Sequence, residues 1–372
     1  MQLSVIILNY NVRYFLEQCV LSVQKALDGI DGEIIVIDNA SSDDSCEMMK
    51  TKFPNIKLIE NKNNLGFPKG NNIGVAQAKG EYICILNPDT VVAEDTFSKI
   101  LNTKNWQLNT GIIGCKLIDG AGNFLPESKR GVPTPWVAFT KIFGLYKISN
   151  YFGKYYAQHL SENESGKVDI LVGAFMVMKR ELYLEVGGFD ENCFMYSDDI
   201  DLSYLVLKTG KSNYYFHETS VIHYKGESTV RDGTYMKRFR EAMQFFYKKH
   251  FKKSWFFDVM MQVGSFVFSL LKKNQQKNEV RTIDEYVVFS KGNLELNLSK
   301  KATYLVDFNQ FVNQPKKNIE IIFDTTTFSF AEIITFMQLN KSKNLSFKNY
   351  ISSSNYLIGS NNSNDRGQII LL

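Results

Sequence analysis

Residues 3–8 (LSVIIL) form an apolar, largely β-branched run that stops at the polar Asn9-Tyr10-Asn11. Unbroken apolarity over so short a stretch predicts a strand covered on both faces. The period then changes: Phe15, Leu16, Cys19, Val20, Val23 and Leu27 recur at three and four spacing, which predicts a helix ending near Gly29 and Gly32. Residues 33–37 (EIIVI) restore the strand pattern and run into Asp38, and 45–53 fit a helix. Residues 56–59, a Gly/Asn-rich loop, a helix near 71–78 and the strand 81–86 before Asn87-Pro88-Asp89 repeat the unit. Strict alternation of this kind predicts an α/β fold with a doubly wound, mainly parallel sheet. Such sheets bind ligands beyond the carboxyl ends of their strands. Asn9, Asp38, Asn39 and Asp89 all fall at those ends and should converge on one crevice.

Beyond residue 112 the pattern is mixed, and a Pro, aromatic and Lys stretch at 126–156 specifies no element. A basic helical stretch follows at 236–253, then an apolar run at 255–271 and a polar run at 272–278 that reads as a linker. Strand-like 286–289 and 319–323 and helix-like 330–338 predict a small α/β module at the end. The expected division is a sheet domain over 1–250, a connector over 251–278 and a C-terminal module over 279–372.

Hydrophobic residues make up 44% and charged residues 22% of the chain, which excludes wholesale disorder and a polytopic membrane protein. A net charge of +4 spread over the chain lacks the footprint of a nucleic-acid binder. The five cysteines, Cys19, Cys46, Cys84, Cys115 and Cys193, are odd in number, form no CxxC pair and mostly sit among apolar neighbours. That pattern predicts reduced, buried thiols in a cytoplasmic protein, and no secretory signal opens the sequence.

Several segments carry candidate chemistry, each with a plainer reading. Asp38-Asn39-Ala40-Ser41-Ser42-Asp43 follows a strand, where the carboxylate suits a ribose or base edge and the following residues suit a helix cap. Residues 61–74 pack three glycines and five asparagines, Asn64, Gly66 and Asn71 among them, so backbone approach and amide hydrogen bonding to a ligand are both available. The stretch has neither a P-loop nor a dinucleotide fingerprint. Asn87-Pro88-Asp89 is either a turn or a strand-end site whose carboxylate holds a divalent cation on a diphosphate. Asp198, Asp199 and Asp201 put three carboxylates within four residues; they are either a general-base cluster or an acidic helix start. His223, at the end of an apolar segment, is either structural or a second metal ligand.

Taken in order over residues 1 to about 250, these motifs resemble the inverting family 2 glycosyltransferases of GT-A fold, especially the rhamnosyltransferase-like branch. The resemblance implies that Asn9, Asp38, Asn64 and Gly66 contact the nucleotide, with Asn11, Asn39, Asn71 and Asn87 beside them. It implies Asp89 as the surviving carboxylate of a DXD element, His223 as a metal ligand and Mn²⁺ or Mg²⁺ as cofactor. Asp199 stands where the family has its base, with Asp198 as its pair, and Gly173-Ala174-Phe175 resembles the acceptor-side segment. Two positions depart from the pattern: Asn87 replaces the usual first Asp of DXD, and Asp198-Asp199 replaces the usual Glu-Asp. The implied partners are a nucleotide diphosphate sugar and a lipid-linked or polysaccharide glycan of the cell envelope.

A sugar nucleotidyltransferase would carry a Gly-rich, basic loop after the first strand, where this chain has Asn9-Tyr10-Asn11-Val12. A non-catalytic carbohydrate or nucleotide binder would not need Asp89, Asp199 and His223 together. The apolar run 255–271 is short for a span of roughly 20 residues. It is flanked by Lys248, Lys249, Lys252 and Lys253 and by Lys272, Lys273 and Lys277. Two readings follow for 239–273: a peripheral helix on the anionic inner face of the cytoplasmic membrane, or a core helix that docks the C-terminal module.

Overall fold

The structure is a computed structural model that describes residues 1–134, 136–137, 140, 148–225, 233–251, 282–361 and 367–372. The apolar run 255–271 and the linker 272–278 lie outside the described residues.

The first strands and helices follow the sequence pattern closely. β1 (Leu3–Asn9), β2 (Gly32–Asp38), β3 (Lys57–Glu60) and β4 (Tyr82–Leu86) are joined by α1 (Arg13–Ala26), α2 (Ser45–Lys52) and α3 (Gly66–Ala76). All seven residues of β1 are buried, since alternate side chains meet different helices. Val5 and Ile7 pack with Leu16, Val20 and Met48 on one face, while Ile6 and Leu8 pack with Val75 on the other. The glycines of α3 serve this packing: a Cβ on Gly74 would lie 2.5 Å from Ile37 Cδ1 and 2.6 Å from Ile6 Cγ2. Part of the stretch expected to be a ligand loop is therefore helix pressed onto the sheet.

The sheet continues with β5 (Thr90–Val91), β6 (Thr110–Ile118), β7 (Gly166–Val168), β8 (Phe175–Lys179) and β9 (Ser212–His223). Among the described residues its order is β3-β2-β1-β4-β8-β6-β9-β5, with β7 on β9. β1 to β4 pair in parallel, whereas β8 is antiparallel to both β4 and β6. This insertion brings the residues ahead of β8 to the carboxyl end of β4, where Asn87 N–H donates to Ala174 O at 3.0 Å. The helices α4 (Thr96–Leu101), α5 (Arg180–Glu185), α6 (Asp198–Lys208) and α7 (Gly233–His250) complete this half.

A second sheet holds β10 (Glu285–Phe289), β11 (Ala302–Leu305), β12 (Ile319–Asp324), β13 (Leu345–Ile351), β14 (Tyr356–Ser360) and β15 (Gln368–Leu371), with α8 (Phe330–Leu339) between β12 and β13. Its order is β11-β10-β12-β13-β14-β15. The two sheets share one apolar cluster, in which Val12, Phe15, Ile118 and Ile222 pack with Phe289, Phe323, Phe336 and Phe347. Four of the five cysteines are buried and Cys46 is half-buried. None of the helices among the described residues is long and apolar enough to cross a membrane. Within the 239–273 stretch, Met243, Phe246 and Tyr247 of α7 are buried against Ile170 and Ile200, and Lys249 pairs with Asp190 and Asp201.

Candidate functional site

The ends of β1 and β2 and the start of α3 are tied together by side-chain hydrogen bonds. Asn9 and Asp38 are register partners on β1 and β2, and Asn9 Nδ2 donates to Asp38 Oδ1 at 2.8 Å. The other carboxylate oxygen accepts from Ser41 N–H at 2.8 Å, so Asp38 braces the turn after its own strand and does not cap α2. Asn11, in the left-handed region at φ 55, accepts at Oδ1 from Ser42 N–H at 2.7 Å. Asn39 Nδ2 donates to Asn64 Oδ1 at 3.0 Å and to Gly66 O at 3.1 Å, tying the end of β2 to the start of α3. Gly66 has φ +81, and a Cβ there would meet Phe194 O at 2.7 Å. Asn71 lies one turn further on, wholly buried, with Nδ2 donating to Phe67 O of its own helix at 2.9 Å. The Oδ1 atoms of Asn9 and Asn71 have no hydrogen-bond partner.

A second cluster stands at the end of β4. Thr90 of β5 pairs with His223 of β9, which places the imidazole beside the Asn87-Pro88-Asp89 turn. His223 Nε2 lies 3.4 Å from Asp89 Oδ1 and 3.4 Å from Asn87 Nδ2. Asp89 is 3% and His223 7% exposed. Asn87 Oδ1 and His223 Nδ1 are buried without a hydrogen-bond partner. The two ends of an amide exchange by a simple flip, so Asn87 can offer its oxygen at the place where Nδ2 faces the imidazole. A carboxylate, an amide oxygen and an imidazole nitrogen form a donor set that fits a hard or borderline divalent cation. No group of three or more His, Cys, Asp or Glu that could hold a metal ion exists among the described residues, so remaining positions would fall to phosphate oxygens and water, as is common for Mg²⁺.

The third cluster is the start of α6. Asp198 and Asp199 are 6% and 8% exposed, so they are not a solvated helix start. Gly173, just ahead of β8, lies against them: a Cβ on it would be 3.3 Å from Asp199 Cβ, 3.6 Å from Asp198 Oδ2 and 3.6 Å from Phe67 Cζ. The glycine lets this segment pack close against the carboxylates. Ala174 and Phe175 are buried, and Ala174 O links this segment to Asn87. The glycosyl transferase family 2 model matches residues 4–187 of this chain, which take in the strand ends, Asn87, Asp89 and Gly173. The chain carries a family 2 glycosyltransferase domain.

Its relatives include an N-acetylglucosaminyl-diphospho-decaprenol L-rhamnosyltransferase of Mycobacterium tuberculosis, 26% identical over 62% of this chain and 78% of that one. Rhamnosyltransferase WbbL of Escherichia coli is 30% identical over 43% of this chain and 61% of its own length. These likenesses put the transferase in the rhamnosyltransferase-like branch. A solved mannosyltransferase, PcManGT from Pyrobaculum calidifontis in complex with GDP-Man and Mn²⁺, is 18% identical over 72% of this chain and 69% of that one, with a TM-score of 0.46. The matching family and its relatives are glycosyltransferases, in keeping with that reading and not with the nucleotidyltransferase or non-catalytic ones.

The transferase fold also brings in Arg130, which sequence reasoning missed. It sits in the stretch whose pattern specified no element, and its partner Asp199 is 69 residues away, Nη2 to Oδ2 at 2.5 Å. Arg130 N–H and C=O pair with Ile170, which fixes the guanidinium ahead of the Gly173 segment. Asp201, by contrast, turns away from the pair. It is 1% exposed and accepts from Lys249 Nζ at 2.8 Å and His250 Nε2 at 2.5 Å. The third carboxylate of the cluster thus anchors α7 to the helix that carries the other two.

Proposed function

We propose that the protein transfers a sugar, with inversion, from a nucleotide diphosphate sugar to a hydroxyl of a lipid-linked or polysaccharide glycan in cell-surface polysaccharide synthesis. The observation that carries this reading is that one short segment touches two buried polar clusters. One holds Asn87, Asp89 and His223, the other Asp198 and Asp199, and Gly173-Ala174 lies between them.

In this reading Asn9, Asn11, Asp38, Asn39, Asn64, Gly66 and Asn71 cradle the nucleotide. Asn87, Asp89 and His223 would hold a divalent cation, Mn²⁺ or Mg²⁺, which when bound offsets the charge of the leaving diphosphate. The acceptor hydroxyl approaches from the side of Gly173, and the Asp198–Asp199 pair takes its proton. A single displacement, with attack from the face opposite the diphosphate, inverts the anomeric configuration. Residues 1–250 serve as the GT-A unit, 251–278 as connector and 279–372 as a docked module. The enzyme acts at the cytoplasmic side of a membrane, with the lysine-flanked 255–271 stretch on the lipid surface. Flotation with anionic vesicles and not with neutral ones is the expected result; charge-independent flotation, or none, removes the membrane part.

The reading is tested by a thermal-shift panel of UDP, GDP and dTDP, free and sugar-linked, with Mn²⁺ present. One nucleotide at a hundredfold excess over its Kd stabilises by about 2.7 kcal/mol. No stabilisation by any of them overturns the donor assignment.

A further inference from the structure

A cavity of about 270 Å³ lies where α8 of the C-terminal module meets β6 and β9, and no residue of the three clusters described above lines it. Its volume is near the lower end of ordinary ligand cavities, about 300–1,000 Å³. One wall comes from an irregularity of β9. Between Cys115 and Lys116 of β6 the partner on β9 moves from Phe216 to Ser220, so residues 217–219 are looped out of the ladder, as in an enlarged β-bulge. The opposite wall is one face of α8, where Ala331, Ile334, Thr335 and Gln338 recur at three and four spacing. Side-chain alternation along β9 separates this place from the proposed transfer centre. Ile222 packs with the second sheet and Val221 in the core of the first. Ser220, whose Oγ accepts from Gln338 Nε2 at 3.2 Å, shares the face of Ile222, and His223 shares that of Val221.

The polar groups of the lining are held at one atom and offer another. His217 Nδ1 is 2.7 Å from Ser165 Oγ, which also accepts from His217 N–H at 3.0 Å. The ring is thereby fixed, and its Nε2 has no partner among the described residues. The bond from Gln338 to Ser220 likewise fixes the amide and leaves Oε1 for a ligand. Charge in the lining is balanced: Lys99 pairs with Asp95 at 2.8 Å, and Lys116 with Glu162 at 3.4 Å. With both lysines matched, no surplus positive charge selects a phosphate. Among the described residues no Phe, Tyr or Trp lines the cavity, so a nucleobase finds no ring to stack on. What the cavity offers is a mixed set of donors and acceptors beside the apolar Ala93, Ala331 and Ile334. A sugar ring matches that set, because each hydroxyl both donates and accepts and the C–H face of the ring takes the apolar wall.

We infer that this cavity is a second saccharide site, which holds one sugar ring of a glycan and takes no part in the transfer step. Its ligand touches both β9 and α8, so occupancy ties the C-terminal module to the transferase half. The inference does not depend on the donor assignment.

The test titrates the full chain with the methyl glycosides of L-rhamnose, D-glucose, D-galactose and N-acetyl-D-glucosamine, and with sodium phosphate, following melting temperature and calorimetric heat. A saturable response to at least one glycoside is expected, with none to phosphate. His217→Phe and Gln338→Leu, which keep the shape and remove the polar edge, should each weaken it about tenfold. Thr335→Trp, at an exposed helix position, fills the cavity and should abolish it. Each variant should respond to UDP, GDP or dTDP with Mn²⁺ as wild type does. Absence of a saturable response to every glycoside overturns the inference, as does glycoside binding that survives Thr335→Trp or is displaced by phosphate. Failure of wild type to respond to any nucleotide overturns the donor assignment alone.

Discussion

The carboxylate of Glu94 caps the helix that begins at Phe330: Oε1 accepts from Phe330 N–H at 2.8 Å and Oε2 from Ala331 N–H at 2.9 Å. The first turn of α8 also has its own capping box, Ser329 with Glu332. Glu94 therefore satisfies donors that the local sequence leaves over, and does so from the other sheet. Glu94→Ala should destabilise the protein by about 1–2 kcal/mol, and Glu94→Gln by less. Urea denaturation followed by fluorescence measures this; equal stability of Glu94→Ala and wild type would show that the contact is not maintained in solution.

Asp89→Ala should remove metal-dependent nucleotide binding, because it deletes the one carboxylate at the end of β4. His223→Ala should weaken it by ~10-fold or more, since Asp89 and the Asn87 oxygen persist. Calorimetric titration of Mn²⁺ with the nucleotide chosen by the thermal-shift panel decides the matter. Unchanged affinity in the Asp89 variant would dismiss the cation site.

Asp198 carries a stability penalty that depends on pH. Its folded carboxyl is raised to about 7 from an ordinary value of 3.8, so between those values the native state holds a proton that the unfolded chain has lost. Stability contributed by this group is present at low pH and declines as pH rises through about 7. Asp198→Asn should accordingly be more stable than wild type at pH 8, with a smaller advantage at pH 5. A stability gain that does not grow between these two pH values would show that the carboxylate is solvated.

Gly66→Ala should disturb the junction of β2 and α3, and with it the proposed nucleotide site. A side chain in the left-handed region costs about 1–2 kcal/mol, and the new Cβ would sit 2.7 Å from Phe194 O. That oxygen accepts from Phe67 N–H at 2.9 Å, so the strain passes into the loop that leads to Asp198. Lower melting temperature and weaker thermal shift by nucleotide are expected together. Loss of stability with full nucleotide response would separate Gly66 from the binding site.

The early strands and helices were legible because apolar runs and helical spacing are local signals. β1 and β2 match their patterns to within a residue at most ends, and Asn9, Asp38 and Asn39 meet as the strand-end rule requires. The antiparallel placing of β8 was not legible, since nothing within residues 175–179 records that their neighbours are β4 and β6. Arg130 was hidden for the same reason: its role is defined by a carboxylate far along the chain. The glycines of 61–74 misled in part, because a glycine that admits a helix to a sheet and one that admits a ligand look alike in sequence. Asp201 shows the converse, as three acidic residues within four positions divide between the Gly173 segment and a helix anchor only in three dimensions.

The shared apolar cluster joins segments far apart in the chain, and Tyr356 Oη donates to Tyr14 O across 342 positions. Helix α1 leaves the ribosome long before Phe347, Tyr356 and Ile358, which share its cluster with Val12 and Phe15. At ≈ 5–20 residues per second, that surface waits many seconds for its cover while the first sheet is already able to form. The growing chain therefore exposes a sticky face until those residues emerge, and a truncation after residue 278 would make the exposure permanent. Recombinant work on the transferase half alone should begin from polar replacements at Val12 and Phe15.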